Sequence, residues 1–398
     1  MHFARLLSQT VAWLVAAAWV SRVYAAHRGL PSIPNLLLPA HDLTPADLPT
    51  LTVIVPARNE QADVRACLKS LLAQDYANLK IIAVDDRSTD ETGSIMDALS
   101  ASRPDRLRVM HVTDLPAGWL GKTHAMSLAA DSSKSDFLLF TDADIFFRTD
   151  ALRRALANLV AEDADHLVLV PTTLIHRWDE AALLSFFQIF GLWATRPWQI
   201  ANPRAQRDAI GIGAFNLVRR TAYEKIGGFG AIRMEIVEDL GLGRRVKRAG
   251  LAQRICFGRG LVEVHWASGL GGLVNVMTKN IFSAFNFHIS LVFVACVWLS
   301  LFCVAPFAGL LLTGYRIPAA LTLMAISYCY LLMSRISGLS SWNALLAPFA
   351  AVAFIYTLLR SMTITQRQRG VIWRGTFYPL DQLKRHMSPL LSKMSPRE

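Results

Sequence analysis

The stretch Phe137–Asp144 reads FLLFTDAD. Its first four residues are apolar enough for a buried strand, and two aspartates stand one residue apart on the turn that leaves it. At this place in an α/β protein, two carboxylates would hold a divalent cation against a phosphorylated ligand. Acidic residues are also common in turns for local reasons, because an aspartate side chain hydrogen-bonds its own neighbouring backbone. The motif therefore needs support from the rest of the chain.

Short apolar runs alternate with helical periodicities on both sides of this stretch. Helical spacing from Val64 to Leu72 follows the first run, and the capping-box spacing of Ser88–Glu91 predicts the start of a second helix. Strands are predicted at 51–55, 79–84, 107–112, 136–140 and 166–170, and further helices at 121–132 and 150–162. The alternation predicts an α/β fold in which a mostly parallel sheet is covered on both faces.

Polar clusters follow three of these predicted strands. The cluster Arg58–Glu60 comes after the first strand, Asp85 and Asp86 after the second, and Asp142 with Asp144 after the fourth. Ligands of such sheets bind outside the carboxyl ends of the strands, so the three loops would converge on one crevice. Convergence is stronger evidence for a functional site than any single motif.

The chain of 398 residues is 53% hydrophobic and only 18% charged, which is too apolar for an ordinary soluble protein. Its apolar residues concentrate in four blocks of roughly 20 residues, the length that crosses a bilayer. The blocks are 6–26, 289–313, 317–334 and 342–362. We predict a membrane anchor at residues 1–28, with a cleaved signal peptide as the open alternative. A globular domain is predicted at 49–287 and a transmembrane region at 288–362.

Five cysteines are scattered without a C-x-x-C spacing, which indicates neither a disulfide framework nor a metal site. Residues 363–398 form a basic tail in a chain whose formal charge is +11. We expect this tail to lie on the cytoplasmic side, beside anionic headgroups. We do not expect a nucleic-acid partner. A cytosolic domain followed by three spans would put the tail outside, unless one block is re-entrant or interfacial. We therefore expect an even number of true spans.

Two apolar segments inside the globular part are not predicted as spans. Residues 183–193 form either protein core or an interfacial helix at the entrance for a lipid. Residues 268–287, with Lys279 among apolar side chains, favour an interfacial amphipathic helix more strongly because they adjoin the first C-terminal block. Together the two segments predict a domain that lies flat on the bilayer.

Six motifs between residues 50 and 285 resemble glycosyltransferase family 2 in their order and spacing. They are Val55–Glu60 (VPARNE), Val84–Asp90 (VDDRSTD), Gly118–Ala125 (GWLGKTHA), Thr141–Asp144 (TDAD), Gly213–Arg220 (GAFNLVRR) with Gly227–Phe229 (GGF), and Glu238–Asp239. The resemblance implies a GT-A fold, which is Rossmann-like, and an enzyme that takes a sugar from a nucleotide-diphosphate donor.

Within that family the chain is most similar to membrane-anchored, hopanoid-biosynthesis-associated glycosyltransferases and to carotenoid-acid glycosyltransferases. The motif GWLGK, the segment Val237–Leu240, the tripeptide Trp373–Gly375 and Tyr378 carry this likeness. It implies a multi-pass protein of the bacterial inner membrane whose catalytic domain faces the cytoplasm. It also implies a lipid acceptor of hopanoid or other isoprenoid type.

The resemblance further implies roles for single residues. Asp86 would accept hydrogen bonds from the nucleobase, and Glu60 and Asp85 would line the nucleotide pocket, with UDP-sugars favoured. Asp144 would ligate Mg²⁺ or Mn²⁺, because hard oxygen ligands suit such a cation. Asp142 would either support Asp144 or contact the ribose. The cation would neutralise the charge that develops on the leaving diphosphate.

Lys122 follows a glycine-rich turn at a predicted helix start, where its ammonium group can face a phosphate. A solvated lysine is the alternative, and we expect His124 to be structural. The family's general base is the second acid of the Glu238–Asp239 motif, which implies that Asp239 deprotonates the acceptor and that attack inverts the anomeric configuration. Without that context, two acids in the first turn of a helix would simply complement the helix dipole.

The segment Gln366–Gly370 (QRQRG) partly matches the Gln-x-x-Arg-Trp element of processive polysaccharide synthases, but Gly370 stands in the tryptophan position. Arg369 and Trp373 are expected to close over the donor site, with a headgroup-binding tail as an equal alternative. The sequence thus predicts an inverting, metal-dependent glycosyltransferase that acts on a membrane lipid. A processive polysaccharide synthase and a non-catalytic membrane scaffold are the alternatives.

Overall fold

The computed structural model describes residues 2–45 and 47–387. The chain forms two compact units. The apolar-helix unit contains the residues up to Ser32, then Ile175–Trp198 and Trp266–Trp373. The sheet unit contains Ile33–Leu174, Gln199–His265 and the residues from Arg374 onwards. The predicted boundaries at 49, 287 and 362 do not follow this division, because two stretches within 49–287 group with the apolar helices. Lys393 and Arg397 of the predicted basic tail lie outside the described residues.

The described chain alternates helices and strands. Its α-helices are α1 His2–Gly29, α2 Val64–Leu72, α3 Thr92–Ser102, α4 Gly121–Ser132, α5 Ala151–Ala161, α6 Trp178–Ala194, α7 Arg220–Lys225, α8 Glu238–Arg248, α9 Gly269–Ala284, α10 Ile289–Leu299, α11 Ala305–Gly309, α12 Arg316–Ser337, α13 Ala347–Gln368 and α14 Leu380–His386. Its strands are β1 Leu51–Ala57, β2 Leu79–Asp86, β3 Leu107–Val112, β4 Phe137–Phe140, β5 Ile145–Phe147, β6 His166–Leu169, β7 Thr172–Thr173, β8 Asn216–Arg219, β9 Gln253–Cys256, β10 Val262–Val264, β11 Gly370–Trp373 and β12 Thr376–Pro379.

A seven-stranded sheet in the order β3-β2-β1-β4-β8-β6-β9 forms the centre of the sheet unit. The five predicted strands are present as β1, β2, β3, β4 and β6, and β1 pairs in parallel with β2 and β4. β8 runs antiparallel to both β4 and β6, which the sequence pattern did not show. The prediction of an α/β fold with a mostly parallel sheet is confirmed.

Apolar side chains cover both faces of this sheet. In β1, Val53 and Val55 belong to one core and Ile54 to the other, as the two-residue period of a strand requires. Helices α2, α3 and α5 complete the first core, and α4, α7 and α8 complete the second. A strand that is buried on both faces is continuously apolar, which is why β1 and β4 were recognisable in the sequence.

The two aspartates of FLLFTDAD lie on a short connection between two strands. β4 ends at Phe140, and β5, which the sequence analysis did not predict, begins at Ile145. β5 pairs with β10 in a separate three-stranded sheet that also contains β7. The Thr141 hydroxyl donates to the carbonyl oxygen of Ala214 at 2.8 Å. The turn is therefore anchored at both ends and along its length.

The capping-box prediction is wrong. α3 begins at Thr92, whose backbone N–H and hydroxyl donate to Asp90 Oδ1 at 3.0 and 2.6 Å. Ser88 Oγ accepts a hydrogen bond from the Asn59 N–H instead, at 3.1 Å, and Asn59 Oδ1 accepts one from the Thr89 N–H at 2.8 Å. These side chains tie the loop after β1 to the loop after β2, a long-range role that a local capping motif does not predict.

In the described part of the apolar-helix unit, four helices are long and apolar enough to cross a membrane: His2–Ser32, Ile289–Gly309, Arg316–Ser337 and Ser341–Gln368. They match the four predicted blocks. The helix Ile289–Gly309 contains a π-helical segment, Ser300–Val304, just before Pro306. Proline offers no N–H to the Phe302 carbonyl four residues earlier, and Trp19 Nε1 donates to that carbonyl at 2.9 Å.

The two segments predicted to be interfacial or core form helices of the apolar-helix unit. Asn343 Nδ2 donates to Ser185 Oγ on α6 at 2.8 Å. On α9, the Phe282 N–H donates to Ser361 Oγ of α13 at 3.2 Å. α6 and α9 are thus fixed to other helices of that unit, and their position at a membrane surface stays a prediction.

Candidate functional site

Acidic side chains from three loops stand at the carboxyl edge of the sheet. Glu60 follows β1, Asp85 and Asp86 end β2, and Asp142 with Asp144 follows β4. Asp142 and Glu60 are near enough to Asp144 to raise its pKa electrostatically. The structure therefore brings the loops after β1 and β4 together, as the sequence analysis expected.

Lys122 bridges two of the sequence motifs. It lies in the first turn of α4, and its Nζ is 2.5 Å from Asp142 Oδ1 and 2.6 Å from Glu238 Oε1. Burial alone would lower the pKa of Lys122, but Asp142 and Glu238 outweigh it and raise the pKa above its usual range. Lys122 is thus a fixed cation in a cleft of carboxylates, and the alternative of a solvated surface lysine is wrong.

Asp144 has the side chain best suited to bind a divalent cation. Burial, followed by the charges of Asp142 and Glu60, raises the pKa of its carboxyl group to about 7. Its Oδ1 is buried and has no hydrogen-bond partner in the described chain. Such an oxygen, beside a second carboxylate, fits a hard divalent cation. Among the residues that the structure describes, no group of three or more His, Cys, Asp or Glu side chains is arranged to hold a metal ion.

Asp239 lies in the first turn of α8 with both carboxylate oxygens held by backbone donors. The Gly213 N–H donates to Oδ2 at 2.7 Å, and the Leu240 N–H donates to Oδ1 at 2.7 Å. Burial and the charge of Glu238 raise the pKa of Asp239 to about 7, against the opposing effect of Lys122. A carboxylate with this pKa is ready to take up a proton near neutral pH.

The two acids at the end of β2 already have partners. Arg87 binds Asp86 with two contacts, from Nε to Oδ1 at 2.8 Å and from Nη2 to Oδ2 at 3.1 Å. Asp85 Oδ2 lies 3.1 Å from His111 Nδ1, and His111 Nε2 lies 2.9 Å from Asp97 Oδ1. The hydrogen bond with Asp97, followed by that with Asp85, raises the pKa of His111. The sequence analysis missed His111, which holds Asp85 in place.

Two glycines allow the acids and the cation to approach each other. A Cβ at Gly213 would lie 2.5 Å from Asp142 Oδ2 and 3.6 Å from Lys122 Nζ. A Cβ at Gly121 would lie 2.2 Å from Asp86 Oδ2. Both glycines belong to motifs of the sequence, but only the three-dimensional structure shows that a larger residue would collide with a carboxylate there.

Buried polar atoms without partners line the same edge of the sheet. Besides Asp144 Oδ1, they include Arg58 Nε in the loop after β1 and His124 Nδ1 on α4, which have no hydrogen-bond partner within the described residues. An unpaired buried polar atom is costly, so Asp144 Oδ1 and Arg58 Nε, in the loops after β4 and β1, suit a polar ligand. Burial lowers the pKa of His124, and the centroid of its ring lies 5.5 Å from that of Trp119. A structural role for His124 stays a prediction.

The predicted participation of Arg369 and Trp373 stays a prediction. Arg369 follows α13 in the left-handed backbone region, with φ of 52°, and Trp373 ends β11. Both residues belong to the apolar-helix unit. The next residue, Arg374, belongs to the sheet unit and pairs with Glu60, with Nη2 and Oε1 2.5 Å apart. Sequence reasoning missed this arginine because nothing in the local sequence links it to Glu60.

Comparison with known proteins agrees with these observations. The family profile described as "Glycosyl transferase family 2" matches residues 52–227. A "4,4'-diaponeurosporenoate glycosyltransferase" from Staphylococcus haemolyticus (strain JCSC1435) is 25% identical over 272 residues, 66% of this chain and 69% of that protein. A protein of the same name from Staphylococcus aureus (strain USA300) is 24% identical over 343 residues, 83% of this chain and 89% of its own length.

A solved structure shares the fold over most of the chain. It is a mannosyltransferase from Pyrobaculum calidifontis in complex with GDP-Man and Mn²⁺, with a TM-score of 0.52 and 19% sequence identity. The alignment covers 90% of this chain and 98% of that protein. The family profile includes the loops after β1, β2 and β4, whereas Asp239 lies beyond its last matched residue.

Proposed function

Because this chain is a glycosyltransferase of family 2 with a GT-A fold, we propose that it transfers a sugar from a nucleotide-diphosphate donor to a membrane lipid, with inversion at the anomeric carbon. One observation carries the proposal: Lys122 lies between Asp142 and Glu238, and Glu238 is the neighbour of Asp239. A fixed cation, a candidate metal ligand and a candidate base therefore meet in one cleft. That combination suits displacement of a diphosphate leaving group.

The donor nucleotide would lie along the loops that follow β1 and β2. Glu60 and Asp85 would line its pocket, and Asp86 would accept hydrogen bonds from the base while it keeps those from Arg87. A carboxylate has about four lone-pair sites, so the two contacts with Arg87 leave capacity for the base. UDP-sugars are the favoured donors. The N-terminus of α4, just after Gly121, would present backbone N–H groups to the phosphates.

Asp144, supported by Asp142, would hold Mg²⁺ or Mn²⁺. A divalent cation neutralises negative charge on a leaving diphosphate. Lys122 would add a second positive charge that is fixed before the donor arrives, so no reorganisation is needed as the charge develops. The unpaired Asp144 Oδ1 and the raised pKa of that carboxyl group support this assignment.

Asp239 would take the proton of the acceptor hydroxyl. As the hydroxyl oxygen bonds to the anomeric carbon, the bond from that carbon to the diphosphate oxygen breaks, and its electron pair leaves with the nucleoside diphosphate. Attack from the side opposite the leaving group inverts the configuration. The hydrogen bonds from Gly213 and Leu240 would hold the carboxylate in one orientation for this step.

The acceptor is proposed to be an isoprenoid-type lipid, hopanoids included, in the bacterial inner membrane. Four helices of sufficient length and apolarity in the described chain support a multi-pass membrane protein. Catalysis is proposed on the cytoplasmic side because the proposed donor is a cytosolic nucleotide sugar. A carboxylate is a second candidate nucleophile, favoured by the relatives named for diaponeurosporenoate. A carboxylate is already ionised at neutral pH, so transfer to it would not need a base.

The direct test is incubation of the purified full-length protein with a panel of nucleotide sugars, Mn²⁺ and bacterial lipid extract, followed by mass spectrometry. We expect one class of donor to yield a lipid that carries a single added sugar. Elongated products would indicate a processive polysaccharide synthase instead. A lack of transfer from every donor would contradict the proposal and favour a non-catalytic scaffold.

Replacement of Gly213 by alanine should disable the site without unfolding the protein. The new Cβ would displace Asp142 and disturb Lys122, and a misplacement of about 1 Å in a catalytic group can cost roughly 100-fold in rate. The rate of transfer from the preferred donor measures the effect. Gly230→Ala is the matched control, because a Cβ at Gly230 meets nothing within 4 Å and the variant should stay active. Equal rates in both variants would contradict the placement of Asp142 in the site.

The side of the membrane on which the tail lies can be measured with a reporter fused after Glu398. The basic composition of residues 363–398 predicts a cytoplasmic reporter. An external reporter would show that the charge rule fails here. It would also remove Arg369 and Trp373 from any cytoplasmic donor site.

A further inference from the structure

The segment Arg374–Tyr378 of the sheet unit lies against the loops that carry the donor-site acids. Arg374 Nη2 is 2.5 Å from Glu60 Oε1, and Arg374 Nη1 donates to the Arg58 carbonyl oxygen at 2.8 Å. Arg58 Nη1 in turn donates to Thr376 Oγ1 at 3.3 Å. The segment Arg374–Tyr378 thus contacts the loop after β1 through three hydrogen bonds.

The same segment also reaches the start of α4. The Gly121 N–H donates to the Tyr378 hydroxyl oxygen at 3.4 Å. Tyr378 is buried at this contact. The segment therefore contacts both the loop after β1 and the N-terminus of α4.

The backbone holds Arg374 in an unusual conformation. Its φ is 46°, and that of the next residue, Gly375, is 79°. For a residue other than glycine the left-handed region is unfavourable, so it persists only where the surroundings impose it. The conformation turns the chain beside Glu60 and presents the guanidinium group to the site.

We propose that Arg374 binds the diphosphate of the donor, and that it exchanges Glu60 for phosphate oxygens when the donor enters. This inference rests on the proposed function, and it adds a binding residue that the sequence motifs do not include. A guanidinium group matches phosphate geometry with two parallel N–H donors, which makes arginine the preferred residue for such contacts.

The ion pair between Arg374 and Glu60 is suited to exchange for a contact between Arg374 and phosphate. The side chain of Arg374 is 38% exposed and that of Glu60 is 21% exposed, and ion pairs that water reaches contribute little to stability. Lys122 and Arg87 are less available, because Lys122 contacts two different carboxylates and Arg87 contacts both oxygens of Asp86. A diphosphate that enters this acid-rich cleft would compete best for Arg374.

The test is the affinity of the full-length protein for UDP and for UMP, measured by calorimetry in the presence of Mn²⁺. The Arg374→Gln variant loses a charge-assisted contact, so we expect it to bind UDP roughly 10- to 100-fold more weakly than the parent protein. UMP binding should change little, because UMP lacks the second phosphate. Arg374→Lys, which keeps the charge but loses the two-pronged geometry, should fall between Arg374→Gln and the parent.

Arg385→Gln is the matched control, because Arg385 lies in the same part of the sheet unit and pairs with Asp381 on the exposed helix α14. Its UDP and UMP affinities should equal those of the parent. If Arg374→Gln weakened the binding of UDP and UMP in equal proportion, or weakened neither, Arg374 would only hold the segment in place. The inference would then be wrong. If the parent bound none of UDP, ADP, GDP and CDP, the proposed function would fail, and the inference with it.

Discussion

The Asp239→Asn variant should transfer sugar about 10²- to 10⁴-fold more slowly than the parent protein, the usual contribution of a positioned general base. Asparagine keeps the size of the side chain and can still accept one of the two backbone hydrogen bonds, but it loses the other and cannot take up the acceptor proton. Donor affinity should stay near that of the parent, because Asp239 acts on the acceptor. Initial transfer rates and UDP affinity, measured on the same preparation, separate the two effects.

The pH dependence gives an independent readout of the same group. Burial and Glu238 raise the pKa of Asp239 to about 7, so the carboxylate form needed for catalysis is lost as the pH falls through 7. With Mn²⁺ at saturation, which keeps Asp144 ionised, the parent rate should therefore rise between about pH 6 and 8, and the Asp239→Asn rate should lack this rise. Asp163→Asn, at a side chain that is 99% exposed, is the control. Unimpaired transfer by Asp239→Asn would exclude Asp239 as the base and favour a carboxylate acceptor.

The Asp144→Asn variant should lose metal-supported transfer by about 10²- to 10³-fold, the usual cost of removing one group that stabilises charge in a transition state. A neutral amide is a weaker ligand for a hard cation than a carboxylate. We expect Mn²⁺ to raise the melting temperature of the parent protein, since a ligand of the folded state stabilises it. The same addition should leave the melting temperature of Asp144→Asn nearly unchanged.

The folded protein itself should tolerate the loss of Asp144. The pKa of this carboxyl group is about 7 in the folded protein, above the value of roughly 3.9 in an unfolded chain. The folded state thus holds the proton more tightly, and the ionised group costs stability that grows as the pH rises from about 4 to 7. Without metal at neutral pH, Asp144→Asn should melt at the same temperature as the parent or higher. A large drop in melting temperature would mean that Asp144 is a structural residue.

Much of the sheet could be predicted from the sequence because its central strands are buried on both faces. β3 and α4 have the predicted bounds, 107–112 and 121–132, and β1 begins at the predicted Leu51. β8 was missed because its four residues begin with Asn216 and end with Arg219, which interrupts any continuous apolar run. β5 and β10, with three residues each, are too short for a recognisable period.

The candidate site was predictable where its residues follow a strand directly. Glu60, Asp86 and Asp144 were found in this way, because strand ends in an α/β sheet point to the ligand edge. The pairing of Lys122 with Glu238 and the pairing of Arg374 with Glu60 were not predictable. The second pair is separated by 314 positions in the chain, and no periodicity or local motif encodes such a contact.

The cleft around Lys122, Asp144 and Asp239 is proposed to transfer a sugar from a nucleotide donor to a lipid. The most direct measurement follows radiolabelled sugar from the preferred nucleotide donor into the organic phase of a lipid extraction. Parent protein, Asp144→Asn and Asp239→Asn are compared in identical membranes. We expect label in the lipid phase with the parent and a loss of at least about 100-fold with each variant. Equal labelling by the three proteins would contradict the proposal.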